Sequence, residues 1–147
     1  MSPNWKYFIP GYLWALPHTL VGLVLMLWYR PESWHLRDGC LEAISSRDLI
    51  GGPWVGAQTH GWIVFYRDQD MYLRKSLRIH ERCHVAQGLV GGPLYMLAYG
   101  IHFLWLWKVK GLEWKAAYRN IVFEAQAYRI EGEYIEGNRP GAWGDSL

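Results

Sequence analysis

Charged side chains are scarce in this sequence of 147 residues: they make up 19% of it, and the formal net charge is +2. A nucleic-acid-binding surface needs a dense basic stripe, so the balance argues against nucleic acid as the main partner. Cysteine is scarcer still. Cys40 and Cys83 are the only two, too few for a disulfide framework, and they leave open either one bridge or two buried thiols. Repeats and low-complexity segments are absent, and the length leaves no room for a second core of comparable size. Apolar material, in contrast, is plentiful: 51% of residues are hydrophobic and 16% aromatic, the reverse of a disordered composition.

The missing charges fall into two gaps. The first, between Lys6 and Arg30, contains GYLWALPHTLVGLVLMLWY with Trp5, Tyr7, Trp28 and Tyr29 at its flanks. A membrane span needs about 20 apolar residues and often carries aromatic anchors. Pro17 is expected to begin or kink the helix, leaving a strongly apolar part from about Thr19 to Tyr29, short for a straight span. Residues 1–30 therefore read as an apolar N-terminal helix that inserts into or lies on a membrane, or else packs as a core helix in a cytoplasmic protein. Membrane association is the favoured expectation. The second gap runs from Val85 to Trp107 and is interrupted by Gly88 and Gly91-Gly92-Pro93, which are expected to break the helix. The remainder, LYMLAYGIHFLWLW, suits a core or interfacial helix.

Residues 31–68 read as strands. Asp38-Gly39 inside WHLRDGCLEAIS is a hairpin signal. DLIGGPWVG is a loop, and AQTHGWIVFYRD reads as a strand centred on Trp62–Tyr66. Helices are expected over 75–135. The order predicts a single α+β domain with a small antiparallel sheet packed on helices.

The most specific feature is His80-Glu81-Arg82-Cys83-His84. Residues four apart on a helix lie on one face, so both imidazoles can reach one ion. Glu81 projects about 100° around the helix, where it can act as a general base on a metal-activated water. Cys83 lies inside the motif as a possible soft ligand, though such a position is more often core. The stretch from Glu113 to Glu131 has no Gly or Pro and reads as one amphipathic helix with Trp114, Ala117, Ile121, Ala125 and Tyr128 on a face. Glu124 lies on that face. A carboxylate among apolar neighbours is costly to bury without a cation or metal, which makes it the third ligand ahead of Glu131, Glu113 and Cys83. Glu131, near the helix end, is expected to stay hydrated, and Asn120 to orient the Glu124 carboxylate.

His80-Glu81-x-x-His84 followed by a glutamate on a later helix resembles the gluzincin branch of zinc-dependent metallopeptidases, in particular its minimal members. The runs HERCHVAQ, with Gln87, and N-x-x-F-E-x-x-A-Y, with Asn120, Phe123, Glu124, Ala127 and Tyr128, are similar to short bacterial and phage-borne proteins of undetermined activity. The resemblance covers roughly residues 55 to 131. It implies a zincin-like core, zinc on His80, His84 and Glu124, Glu81 as catalytic base, and a peptide or protein substrate. It also implies that the strand Gly61–Arg67 is the edge strand that pairs with an extended substrate. The transition-state donor is open among Tyr128, Tyr118, Tyr99 and His102. Two other readings stand beside the peptidase: a catalytically inactive metal-binding scaffold, and a membrane-surface interaction protein without metal.

Overall fold

The structure is a computed structural model that describes residues 9–137; Trp5 and Tyr7 lie outside them. Helix α1 (Ile9–Trp14) gives way at Ala15 to α2 (Leu16–Tyr29), whose first turn holds Pro17. Proline has no N–H to continue a preceding helix but fits an opening turn. Strands β1 (Ser33–Arg37) and β2 (Cys40–Ile44) form the expected hairpin. Asp38 and Gly39, at φ 50° and 78°, make its two-residue turn. Strands β3 (Ala57–His60) and β4 (Ile63–Tyr66) follow, then helices α3 (Gln69–Leu73), α4 (Lys75–Gly91), α5 (Pro93–Leu104), α6 (Trp114–Arg119) and α7 (Val122–Ile135). The fold is α+β.

The sheet is mixed, which corrects the expectation of an antiparallel one. Its order is β1-β2-β4-β3, with β2 and β4 parallel and both hairpins antiparallel. The cause lies at Gly61, whose φ of 64° turns the chain between β3 and β4. Thr19 of α2 packs so closely on that turn that a Cβ on Gly61 would strike it. One apparent strand is therefore a second hairpin. Its β4 half goes inside, and its β3 half takes the edge. The segment expected at the edge, Gly61–Arg67, has its main-chain groups committed to β2 and β3 instead.

Both faces of β4 are covered. Ile63 and Phe65 pack with Tyr29, Ala43 and Leu49 on the α2 side, while Val64 and Tyr66 pack with Val85 and Leu89 of α4 on the other. Alternation across a strand produces this division, and a doubly covered strand reads as a continuous apolar run. Helix α4 is buried on nearly every side. Val85 and Leu89 meet the sheet, and Ile79 and Cys83 meet Ala127 and Ile130 of α7. Gly88 does not break the helix, which ends where Gly92 adopts φ 53°. Neither cysteine forms a disulfide, and both are buried.

A buried ion network fixes α4 on the sheet. Glu42 of β2, fully buried, faces Arg78 Nε at 3.5 Å and an Arg82 guanidinium nitrogen at 3.6 Å; Arg82 also pairs with Asp38 at 3.0 Å. Arg78 further donates to the Tyr72 carbonyl and lies 4.4 Å from the centre of the Tyr72 ring. Buried charges persist only when paired in this way.

The single helix expected over Glu113–Glu131 is broken. Helix α6 ends at Arg119, and Ile121 is extended (φ −56°, ψ 133°) before α7 starts. The break rotates the inward face, so Glu124, Ala127 and Ile130 are buried while Ala125 and Tyr128 are exposed.

Candidate metal centre

Helix α4 supplies His80, Glu81 and His84, and α7, its most extensive partner, supplies Glu124. His80 Nε2 lies 3.2 Å from His84 Nε2 and 3.3 Å from Glu124 Oε2, and His84 Nε2 lies 3.3 Å from Glu124 Oε1. All three side chains are buried, and together they can hold a metal ion. Glu124 Oε2 is buried and faces the His80 ring at 3.3 Å without a well-aligned hydrogen bond, a position in which a buried carboxylate gains from a cation.

The far sides of both rings are also held. His80 Nδ1 lies 3.2 Å from Glu131 Oε2, and His84 Nδ1 lies 2.9 Å from Gln87 Oε1. Each Nδ1 thus faces an acceptor, which makes Nε2 the ring nitrogen that takes a proton or a metal at the shared centre. Gln87 is itself anchored, its Nε2 donating to the Phe123 carbonyl and to Gln126 Oε1. Tyr99 O–H donates to Glu124 Oε1 at 2.7 Å.

These contacts set the electrostatics. Burial works against an imidazolium at His80, but the bonds to Glu124 and Glu131 outweigh it and raise its pKa to about 10. Burial likewise opposes the Glu124 carboxylate, and the bonds from His80 and His84 outweigh it and hold Glu124 well below the usual carboxylate range. The cluster therefore binds a proton where it lacks a metal, and the Nε2–Nε2 contact leaves room for only one between the rings. Burial pushes Glu81 up, while the two imidazoles and Thr59 pull it back. Thr59 O–H donates to Glu81 Oε2 at 2.7 Å.

A groove of about 220 Å³ opens over the cluster. Edge strand β3 forms one wall, Met96 and Tyr99 of α5 form the other, and Glu81, His84 and Glu124 form the floor. Tyr118 lines it too, its hydroxyl kept protonated by burial and by the Glu124 and Glu81 charges. His60 Nε2 is buried without a hydrogen-bond partner, and burial lowers that imidazole to about 4, so it is neutral.

Among the four donor candidates, Tyr118 and Tyr99 line the groove. Tyr128 instead packs edge-on to the His80 ring at 4.5 Å, and His102 Nδ1 accepts from the Val122 N–H at the start of α7. Asn120 does not orient Glu124, because its side chain donates to the Ala116 carbonyl within α6. Glu113 caps α6, and Cys83 belongs to the apolar contact with α7. Sequence reasoning missed Glu131, Gln87 and Thr59 as supports. The first two carried a helical signal, Glu131 one heptad after Glu124 and Gln87 three residues after His84; Thr59 carried none. No protein-family model, no curated protein and no solved structure matches this chain.

Proposed function

We propose that this chain is a zinc-dependent hydrolase of the minimal gluzincin type, most simply a small peptidase. The observation that carries the reading is the closure of His80 Nε2, His84 Nε2 and Glu124 to separations of 3.2–3.3 Å beside a buried glutamate. Ligand atoms about 2.0–2.2 Å from a tetrahedral zinc stand about 3.3–3.6 Å from one another. Two imidazole nitrogens and a carboxylate oxygen are also a donor set that suits zinc. His80, His84 and Glu124 would hold the zinc, which would supply a Lewis acid able to lower the pKa of a water toward neutrality and to polarise a carbonyl.

The protein supplies the rest. Glu81, with Oε2 occupied by Thr59, takes the proton of the attacking water on Oε1 and hands it to the leaving amine. Burial raises its basicity toward the value such a transfer needs. An extended peptide adds to β3 through main-chain hydrogen bonds, a mode that asks little of side-chain sequence. Tyr118 O–H stays protonated and donates to the oxygen that gains charge, while Tyr99 keeps the Glu124 carboxylate in position.

The test compares wild type with Glu81→Gln for bound zinc and for cleavage of unstructured peptides. One equivalent of zinc is expected in both, with turnover lower by ~10²–10⁴-fold in the variant. Wild type without stoichiometric zinc, or two proteins of equal activity, would overturn the reading; bound zinc with no cleavage in either would leave a metal-binding scaffold.

A further inference from the structure

Helices α2 and α5 are inside out. In α2 the polar His18 and Thr19 are buried, while Leu20, Val24 and Leu27 stand 57%, 66% and 79% exposed. In α5 the hydroxyl-bearing Tyr95 and Tyr99 turn inward, and Leu94, Leu97 and Ile101 stand 62%, 59% and 59% exposed. Both triplets follow helical spacing, so each is a continuous stripe. A helix facing water shows the opposite arrangement, whereas one facing lipid turns its polar groups toward protein. The two helices touch, and the His18 and Tyr95 rings are 6.1 Å apart, so the two stripes lie on neighbouring helices. Neither helix contains a charged residue.

The rim has the chemistry of a membrane interface. After α5, a π-type turn (Trp105–Val109) brings the Lys108 ammonium 3.4 Å from the Trp107 ring centre, and Lys110 lies 4.8 Å from that of Trp105. Beyond α2, the Arg47 guanidinium lies 5.3 Å from the Trp28 ring centre. Indoles at headgroup depth beside cations match an anionic lipid surface. Among the described residues no single helix is long and apolar enough to cross a membrane. Helix α2 has 14 residues, a length of roughly 21 Å against a hydrocarbon core of about 30 Å.

We propose that the surface formed by α2 and α5 docks on a lipid bilayer, lying in one leaflet with the Trp-cation rim at the headgroups. Helix α5 also walls the groove above Glu81, His84 and Glu124. On the peptidase reading, and resting on it, docking makes polypeptide segments that emerge from the membrane the substrate class.

The test floats the full-length chain with vesicles of phosphatidylcholine and phosphatidylglycerol. Wild type is expected to float at low salt and to stay with the vesicles in 0.5 M salt, as apolar insertion requires. Leu20→Lys and Leu97→Lys are each expected to lower partitioning by at least ~10-fold while zinc content stays unchanged. Should either variant misfold, brominated lipid provides the readout on the unaltered chain, quenching its tryptophans. Failure to float, complete release by salt, or absence of quenching would overturn the proposal. So would a dimer dissociated by the same substitutions, which would make this face a contact between copies. None of these readouts depends on catalysis, so failure here is distinct from failure of the peptidase reading.

Discussion

Glu131 Oε2 lies 3.2 Å from His80 Nδ1, on the side of the ring away from Glu124. Two carboxylates of one helix thus hold the two nitrogens of one imidazole, Glu124 at the centre and Glu131 behind it. A carboxylate behind a metal-binding histidine fixes its tautomer and raises its basicity. Glu131→Ala is therefore expected to weaken zinc binding by about 10–100-fold, against the near-wild-type value that a hydrated helix-end residue would give. Competition with a chromophoric chelator measures the difference.

Glu124→Ala removes a ligand and is expected to cost more, roughly 100-fold or beyond. Tyr99→Phe, which removes only the hydroxyl that positions that carboxylate, is expected to fall between Glu124→Ala and wild type. If Glu131→Ala proved more damaging than Glu124→Ala, the centre would lie at the other end of the His80 ring.

Acidity separates the metal-free from the metal-bound protein. His80 is raised from 6.5 to about 10 without metal, so its stabilising contribution is complete below about 6.5 and lost as pH rises through about 10. Glu124 is lowered from 4.5, so its contribution is complete above that value and lost as pH falls through its depressed pKa. A metal must displace the His80 proton. The difference in Tm between zinc-loaded and zinc-free protein is therefore expected to widen from pH 6.5 to 9, with about one proton released per zinc. Calorimetric titration in buffers of different ionisation enthalpy counts that proton.

Thr59→Val removes the hydrogen bond that favours the charged form of Glu81. The Glu81 pKa is expected to rise, moving the acid limb of the kcat profile to higher pH while zinc content is unchanged. A profile that does not move would assign the base elsewhere.

Glu42→Ala leaves Arg78 and Arg82 facing an emptied buried site. The expected loss is about 3–5 kcal/mol, or about 10–16 °C in Tm, read by thermal denaturation. Because the network carries α4, zinc affinity is expected to fall as well.

The spacing of His80 and His84, the flanking position of Glu81, the hairpin at Asp38-Gly39 and the need of Glu124 for a cation were all legible in the sequence. Each depends on the period of one helix, the chemistry of one turn or the cost of burying one charge, all local quantities. Strand order was not legible, because pairing β2 with β4 joins segments separated by a long loop and strand β3. The same holds for the support at Thr59 and for the separation of Asn120 and His102 from the centre, whereas Glu131 and Gln87 carried only a helical spacing. These positions follow from the packing of β3 on α4 and of α7 on α4 and α5, and from the break at Ile121. The exposure of α2 and α5 is non-local too: their composition shows that they are apolar, and only the placement of their polar residues against the protein turns the leucines outward.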